Sequence, residues 1–273
     1  MDKKYKLNHI AIPMPCGPTD NELFMSTDSE AAFKKSLIFM PADWPYRTKE
    51  IRYNTNSLGY RTKELTDIDQ NNFFIAYGCS FTFGIGLAED ELWTTTVSNE
   101  LGIECLNLGM GGAGMDFIYL NTLTYLKNTH VRPKFVIIQC PEVSRLLMRS
   151  LDHYAMLGPN FAVSSTANNM YNQSIKDNSY LYTAYLAWHS TMTFWKTAGV
   201  PVYCWTQNKE WPELIPEVEF NLYWPTDEEK LPKNRARDLQ HFPASYHIRA
   251  GKSIAQQLRN DPNFGIRAVD KPQ

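Results

Sequence analysis

The stretch Phe73-Phe74-Ile75-Ala76-Tyr77-Gly78-Cys79-Ser80-Phe81-Thr82-Phe83-Gly84 decides the fold. Its first five residues form an apolar and aromatic run of the length and character of a strand buried on both faces. Gly78 permits a tight turn or a close backbone approach, and Ser80 follows where a parallel strand gives way to the loop before the next helix. Ligands in open α/β sheets bind outside the carboxyl ends of the strands, so a hydroxyl at that place is well sited as a nucleophile. Ser80 is therefore the candidate centre of a site.

Downstream, the same beat of strand, loop and helix recurs. A helix is expected where Trp93, Val97 and Leu101 repeat at i, i+4, i+8, with Glu89 and Asp90 at its start and Gly102 at its end. Ile103 to Leu108 reads as a second strand that closes on Asn107-Leu108-Gly109-Met110-Gly111-Gly112-Ala113-Gly114. Four glycines in six residues leave backbone N–H groups free to face an anion or oxyanion, ahead of a helix with Met115, Ile118, Tyr119, Thr122 and Leu126 on one face. Gly109-x-Gly111-x-x-Gly114 also fits a dinucleotide fingerprint. It follows the second strand, however, and no clear ribose-binding acid ends the next one, so NAD and other cofactors are not expected.

Lys134 to Gln139 forms the third strand. A long helix with Leu181, Tyr185, Trp188, Met192 and Trp195 on one face leads to a fourth strand, Val200 to Trp205. A fifth, short strand is expected near Val218 to Tyr223, within an otherwise irregular region, 206–235. The repeated beat predicts a parallel sheet with crossover helices.

Two regions fall outside it. Residues 1–70 carry Pro13, Pro15, Pro18, Pro41 and Pro45 without a sustained period, which predicts an extended arm packed on the main domain, with one short helix near Ser29 to Ile38. Within the main domain, 71–265, an insertion at about 146–177 includes the Ser/Thr/Asn-rich stretch Ser164 to Asn172 and is expected to act as a lid or substrate-binding loop.

Composition narrows the function classes. A formal net charge of −2 and a pI of about 6.3, with no Lys/Arg-rich block, speak against nucleic acid. No apolar run of membrane-spanning length occurs, and no apolar segment follows the basic start, so a cytoplasmic protein without a membrane partner is expected. Cys16, Cys79, Cys105, Cys140 and Cys204 form no C-x-x-C pair and read as free thiols in a reducing compartment. His130, His153, His189 and His247 have no metal-ligand spacing, and no metal is expected. Seven Trp among 13% aromatic residues favour a well-filled core, with an aromatic-lined groove as the alternative.

Asp238-Leu239-Gln240-His241 stands just before a final helix with Ala244, Ile248, Gly251, Ile254, Ala255 and Leu258 on its inner side. A serine hydroxyl needs a base to take its proton, and a carboxylate to orient and stabilise that base as imidazolium. Ser80, His241 and Asp238 supply one of each. Cys79 is the rival nucleophile, and the usual burial of strand-end cysteines weighs against it.

On these residues the sequence resembles the SGNH hydrolase (GDSL-type esterase/lipase) family. Gly78-Cys79-Ser80-Phe81 is similar to its G-D-S-x block with Cys in place of Asp. Gly112 resembles its glycine after the second strand, and Asp238-Leu239-Gln240-His241 its D-x-x-H-P block with Pro243 one place late. The resemblance covers roughly residues 55–260. It implies a three-layer, flavodoxin-like α/β/α sandwich around a five-stranded parallel sheet, and ester hydrolysis through an acyl-serine, with Ser80, His241 and Asp238 catalytic. The backbone N–H groups of Ser80 and Gly112 would then hold the oxyanion.

One block departs from the pattern. Where the family places G-x-N-D after the third strand, this chain reads Gln139-Cys140-Pro141-Glu142-Val143-Ser144-Arg145, with Glu142 in the place of Asn. Either Gln139 or Arg145 donates instead, or the hole has only the backbone N–H groups of Ser80 and Gly112. The resemblance suggests a small-molecule or glycan ester as substrate, carbohydrate O-acetyl esters first and a lipid ester or thioester second. The rival from another class is an inactive binding or assembly module on the same fold.

Overall fold

The computed structural model describes residues 10–14, 17–149, 154–158, 165–262 and 264. In chain order the elements are α1 (Glu30–Phe39), β1 (Phe73–Tyr77), α2 (Ser80–Phe83), α3 (Trp93–Leu101), β2 (Glu104–Asn107), α4 (Met115–Asn128) and β3 (Val136–Gln139). There follow β4 (Leu146–Arg149), β5 (Tyr154–Leu157), α5 (Ser165–Lys176), α6 (Ser179–Thr197), β6 (Val202–Thr206), α7 (Glu210–Leu214), β7 (Asn221–Leu222), α8 (Asp227–Lys230) and α9 (Ala244–Asn260).

All five side chains of β1 are buried, and their alternation decides which helices cover which face. Phe73, Ile75 and Tyr77 pack with Ile118 and Tyr125 of α4 and with Ala184, Trp188 and Trp195 of α6. Phe74 and Ala76 pack with Trp93 and Val97 of α3 and with Tyr246, Ala250, Ile254 and Leu258 of α9. Gly251 brings α9 close to α3, because a Cβ there would lie 2.7 Å from the Trp93 carbonyl oxygen and 2.6 Å from Thr96 Cβ. The fold is a three-layer α/β/α sandwich.

The central sheet has the order β2-β1-β3-β6-β7, with every pair parallel. The chain steps from β1 outward to β2 and then crosses back to β3 on the other side. The strand order therefore reverses between β1 and β3, and the crevice outside their carboxyl ends is the place where such sheets bind ligands.

The periodic segments form the expected elements, while punctuation that the hydrophobic pattern does not carry alters the edges. The fifth strand is shorter than expected, and 206–235 is more regular than expected, containing α7 and α8. Thr226 and Glu229 build a capping box around α8, with Glu229 N–H donating to Thr226 Oγ1 at 3.2 Å and Thr226 N–H donating to Glu229 Oε2 at 2.7 Å. The T-x-x-E spacing encodes that cap. Within 146–177 the described residues form the antiparallel pair β4–β5 and α5, with a small apolar cluster of Leu157, Ala167 and Tyr171. Ser164 lies outside the described residues.

N-terminal residues join the principal core. Ala11, Trp44, Ile51, Tyr53 and Tyr60 belong to the same apolar cluster as β1 and α4. Asn121 of α4 pins this segment by accepting from Ile12 N–H at 2.8 Å and donating to Tyr60 Oη at 2.9 Å.

Candidate active site

Ser80 stands at the carboxyl end of β1, at the first position of a helical turn rather than in an open loop. Its carbonyl accepts from Gly84 N–H at 2.8 Å and from Ile85 N–H at 3.2 Å, and Gly84 closes the turn at φ 85°. Gly78 is required by contact: an added Cβ would meet Thr82 Oγ1 at 2.1 Å and Gln139 Oε1 at 2.7 Å. Gln139 Oε1 accepts from Cys79 N–H at 3.1 Å and from Cys79 Sγ–H at 3.2 Å, while Gln139 Nε2 donates to the Cys140 carbonyl at 3.0 Å. This buried amide is thus spent on holding the turn that carries Ser80.

Ser80 Oγ lies 2.7 Å from His241 Nε2, and His241 Nδ1 lies 2.7 Å from Asp238 Oδ2. The carboxylate accepts, so Nδ1 carries the proton and Nε2 faces the serine hydroxyl as acceptor. Local backbone geometry arranges the acid. Leu239 adopts φ 59°, and Asp238 Oδ1 accepts from both Gln240 N–H and His241 N–H at 3.1 Å, which turns Oδ2 to the imidazole. A leucine in the left-handed region is strained, and such strain concentrates at functional sites. Burial pushes the Asp238 carboxyl up, but hydrogen bonding and charge from His241, with a further hydrogen bond from Thr27, hold it below its ordinary value.

The acid is also bound to the N-terminal segment. Thr27 Oγ1–H donates to Asp238 Oδ2 at 2.7 Å. The adjacent Asp28 receives Arg237 Nε at 2.9 Å and Nη2 at 2.7 Å, in an ion pair whose side chains are 1% and 4% exposed. Tyr53 Oη–H donates to Asp28 Oδ2 at 2.5 Å and accepts from Gly86 N–H at 2.8 Å, which ties this pair to the loop after Ser80. Phe24 and Phe33 flank the Arg237 guanidinium.

The glycine-rich loop lies directly against the turn that carries Ser80. Met110 N–H donates to the Gly78 carbonyl at 3.0 Å, and Asn107 Nδ2 donates to the Thr82 carbonyl at 2.7 Å while its Oδ1 accepts from Gly109 N–H at 3.0 Å. Gly112 has φ 78°. The N–H groups of Ser80 and Gly112 take no hydrogen-bond partner among the described residues. Glu142 faces its own loop, accepting from Ser144 Oγ–H at 3.2 Å and pairing with Arg145 Nε at 3.4 Å. Arg145 Nη1 is buried without a hydrogen-bond partner among the described residues, and the Arg145 carbonyl oxygen would lie 2.4 Å from a Cβ on Gly114.

His247, on the inner face of α9, is fully enclosed. Burial, then the nearby charge of His241, pushes it down to about 3, so it stays neutral. Phe81 stacks on His247 and meets His241 edge-on. Cys79 and Cys140 are buried, Cys105 and Cys204 are partly buried, and all four are free; Cys16 and His153 lie outside the described residues. Six of the seven Trp pack inside, leaving only Trp224 exposed, so the aromatic excess fills the core.

No protein-family model and no curated protein matches this chain. Among solved structures it is similar to a protein of the G-D-S-L family from Desulfitobacterium hafniense DCB-2, at 14% identity and a TM-score of 0.45 over 68% of this chain and 98% of that one. It is also similar to a carbohydrate esterase whose active site displays divergent catalytic and non-catalytic binding functions, at 12% identity and a TM-score of 0.46 over 72% of this chain and 67% of that one.

Sequence reasoning placed Ser80, His241 and Asp238 as candidates, and the structure brings the three together. It missed Thr27, Asp28 and Arg237. Arg237 directly precedes Asp238, but nothing local marks its partner, which is 209 positions away.

Proposed function

We propose that this protein is a divergent SGNH-type ester hydrolase working through an acyl-serine. The observation that carries the reading is the continuous relay Ser80–His241–Asp238, with both links at 2.7 Å. In the first half-reaction Ser80 Oγ attacks the acyl carbonyl while its proton passes to His241 Nε2, and Asp238 stabilises the resulting imidazolium. His241 then protonates the leaving alcohol. Water repeats the sequence on the acyl-serine, releasing the carboxylic acid and restoring Ser80.

The N–H groups of Ser80 and Gly112, unpaired within the described protein, suit the oxyanion. Of the two alternatives for a third donor, Arg145 is favoured, since the Gln139 amide already serves the backbone on both sides. Ser80 and His241 are only 6% and 9% exposed, which favours a small acyl group such as acetyl, and we take carbohydrate O-acetyl esters as the substrate class.

The test is turnover of p-nitrophenyl acetate and of acetylated glycans by the full chain. Ser80→Ala should lower turnover by about 10⁴- to 10⁶-fold, and a fluorophosphonate adduct should map to Ser80. A folded Ser80→Ala protein that hydrolyses as fast as the wild type would overturn the reading.

A further inference from the structure

Two consecutive residues of the N-terminal segment bind two consecutive residues of the catalytic motif: Thr27 binds Asp238, and Asp28 binds Arg237. We infer that the Thr27 hydroxyl is a positioning residue that sets the direction and charge of the triad acid, so that the N-terminal segment completes the active site. The inference rests on the hydrolase reading above.

Geometry supports it at three points. Thr27 Oγ1–H reaches the same oxygen, Oδ2, that faces His241 Nδ1, and both contacts measure 2.7 Å. Thr27 sits in a two-residue turn closed by reciprocal hydrogen bonds between Met25 and Asp28, in which Ser26 is forced to φ 56°. That strained turn presents Thr27 to the acid while Asp28 is locked to Arg237. The same hydroxyl is among the causes that depress the Asp238 carboxyl.

A mere strap between segment and body would change stability alone. A hydroxyl on Oδ2 does more, because it takes up part of the negative charge that would otherwise draw the proton on His241. The other charged groups nearby are already engaged or neutral: Arg237 is bound by Asp28, Tyr53 donates to Asp28, and His247 stays neutral down to about 3. None of them replaces Thr27 on Oδ2.

The experiment compares Thr27→Val, which keeps the shape, Thr27→Ala, which guards against misfit of the valine, and Thr27→Ser, which keeps the hydroxyl. Removing the hydroxyl should lower kcat by about tenfold with KM little changed. It should also move the acid limb of the kcat/KM profile to higher pH, and Thr27→Ser should restore both. A profile for Thr27→Val and Thr27→Ala superimposable on the wild type, whatever happens to the melting temperature, would overturn the inference.

A second readout does not depend on turnover. The low-field resonance of the His241 Nδ1 proton should move in Thr27→Val and return in Thr27→Ser; an unmoved resonance would sink the positioning role. Activity indifferent to Ser80→Ala would instead remove the hydrolase reading, leaving this resonance to decide on Thr27 alone.

Discussion

Gly109 is where the second strand's loop touches the turn that carries Ser80, and replacing it with alanine should injure stability and catalysis together. The added Cβ would lie 2.6 Å from the Phe83 nitrogen, 2.7 Å from Thr82 Cβ and 2.8 Å from the Thr82 carbonyl carbon. Ordinary contact begins near 3.4 Å, so the two segments must separate by about 0.6–0.8 Å. Two of the obstructing atoms are backbone, and the segments are also tied through Asn107, so neither side yields cheaply. Overpacking of this kind costs about 1–3 kcal/mol, which for a chain of this length lowers Tm by about 2–12 °C. Displacement approaching 1 Å beside Ser80 should also lower kcat/KM by up to about 100-fold. Thermal melts and turnover of p-nitrophenyl acetate measure both. Gly111→Ala in the same loop is the control, since its Cβ meets only Ile85 Cδ1, at 3.4 Å. A Gly109→Ala protein with wild-type melting and wild-type turnover, or a Gly111→Ala protein equally impaired, would refute the steric argument.

Two further outcomes are expected. Asp28→Asn leaves the Arg237 guanidinium buried without its counter-charge and should cost about 3–5 kcal/mol in denaturant unfolding; a loss below about 1 kcal/mol would mean that Leu23 and the flanking rings suffice to hold Arg237. Burial raises the Asp116 carboxyl to about 6 despite hydrogen bonds from Phe117 and Leu147 N–H. Because the folded value exceeds the unfolded one, its contribution to stability is full below about 4 and is lost as pH rises through about 6. Asp116→Asn should therefore flatten the decline in melting temperature between about pH 4 and 6, and an unchanged decline would assign it to another group.

The sequence by itself determined the main strands and helices of the sheet and named the candidates for the relay. Phe73–Tyr77 reads as a buried strand from local composition, and Asp238-x-x-His241 is close enough in the chain that one turn aligns acid and base. Periodicity is a property of neighbours, so it survives without knowledge of the fold.

Only the tertiary structure decided which distant groups those residues meet. Ser80 and His241 are 161 positions apart, and Thr27 and Asp238 are 211 apart. Gln139 looked free to serve an oxyanion until the parallel pairing of β1 and β3 set it beside Cys79, where its amide completes the turn. The strain at Ser26 and Leu239 was equally illegible, because neither residue type favours the left-handed region. Each lies beside residues that packing ties to distant partners: Thr27 and Asp28 to Asp238 and Arg237, and Arg237 N–H to the Gly86 carbonyl. Local sequence supplied a serine, a base and an acid; packing supplied their distances and the hydroxyl that binds the acid.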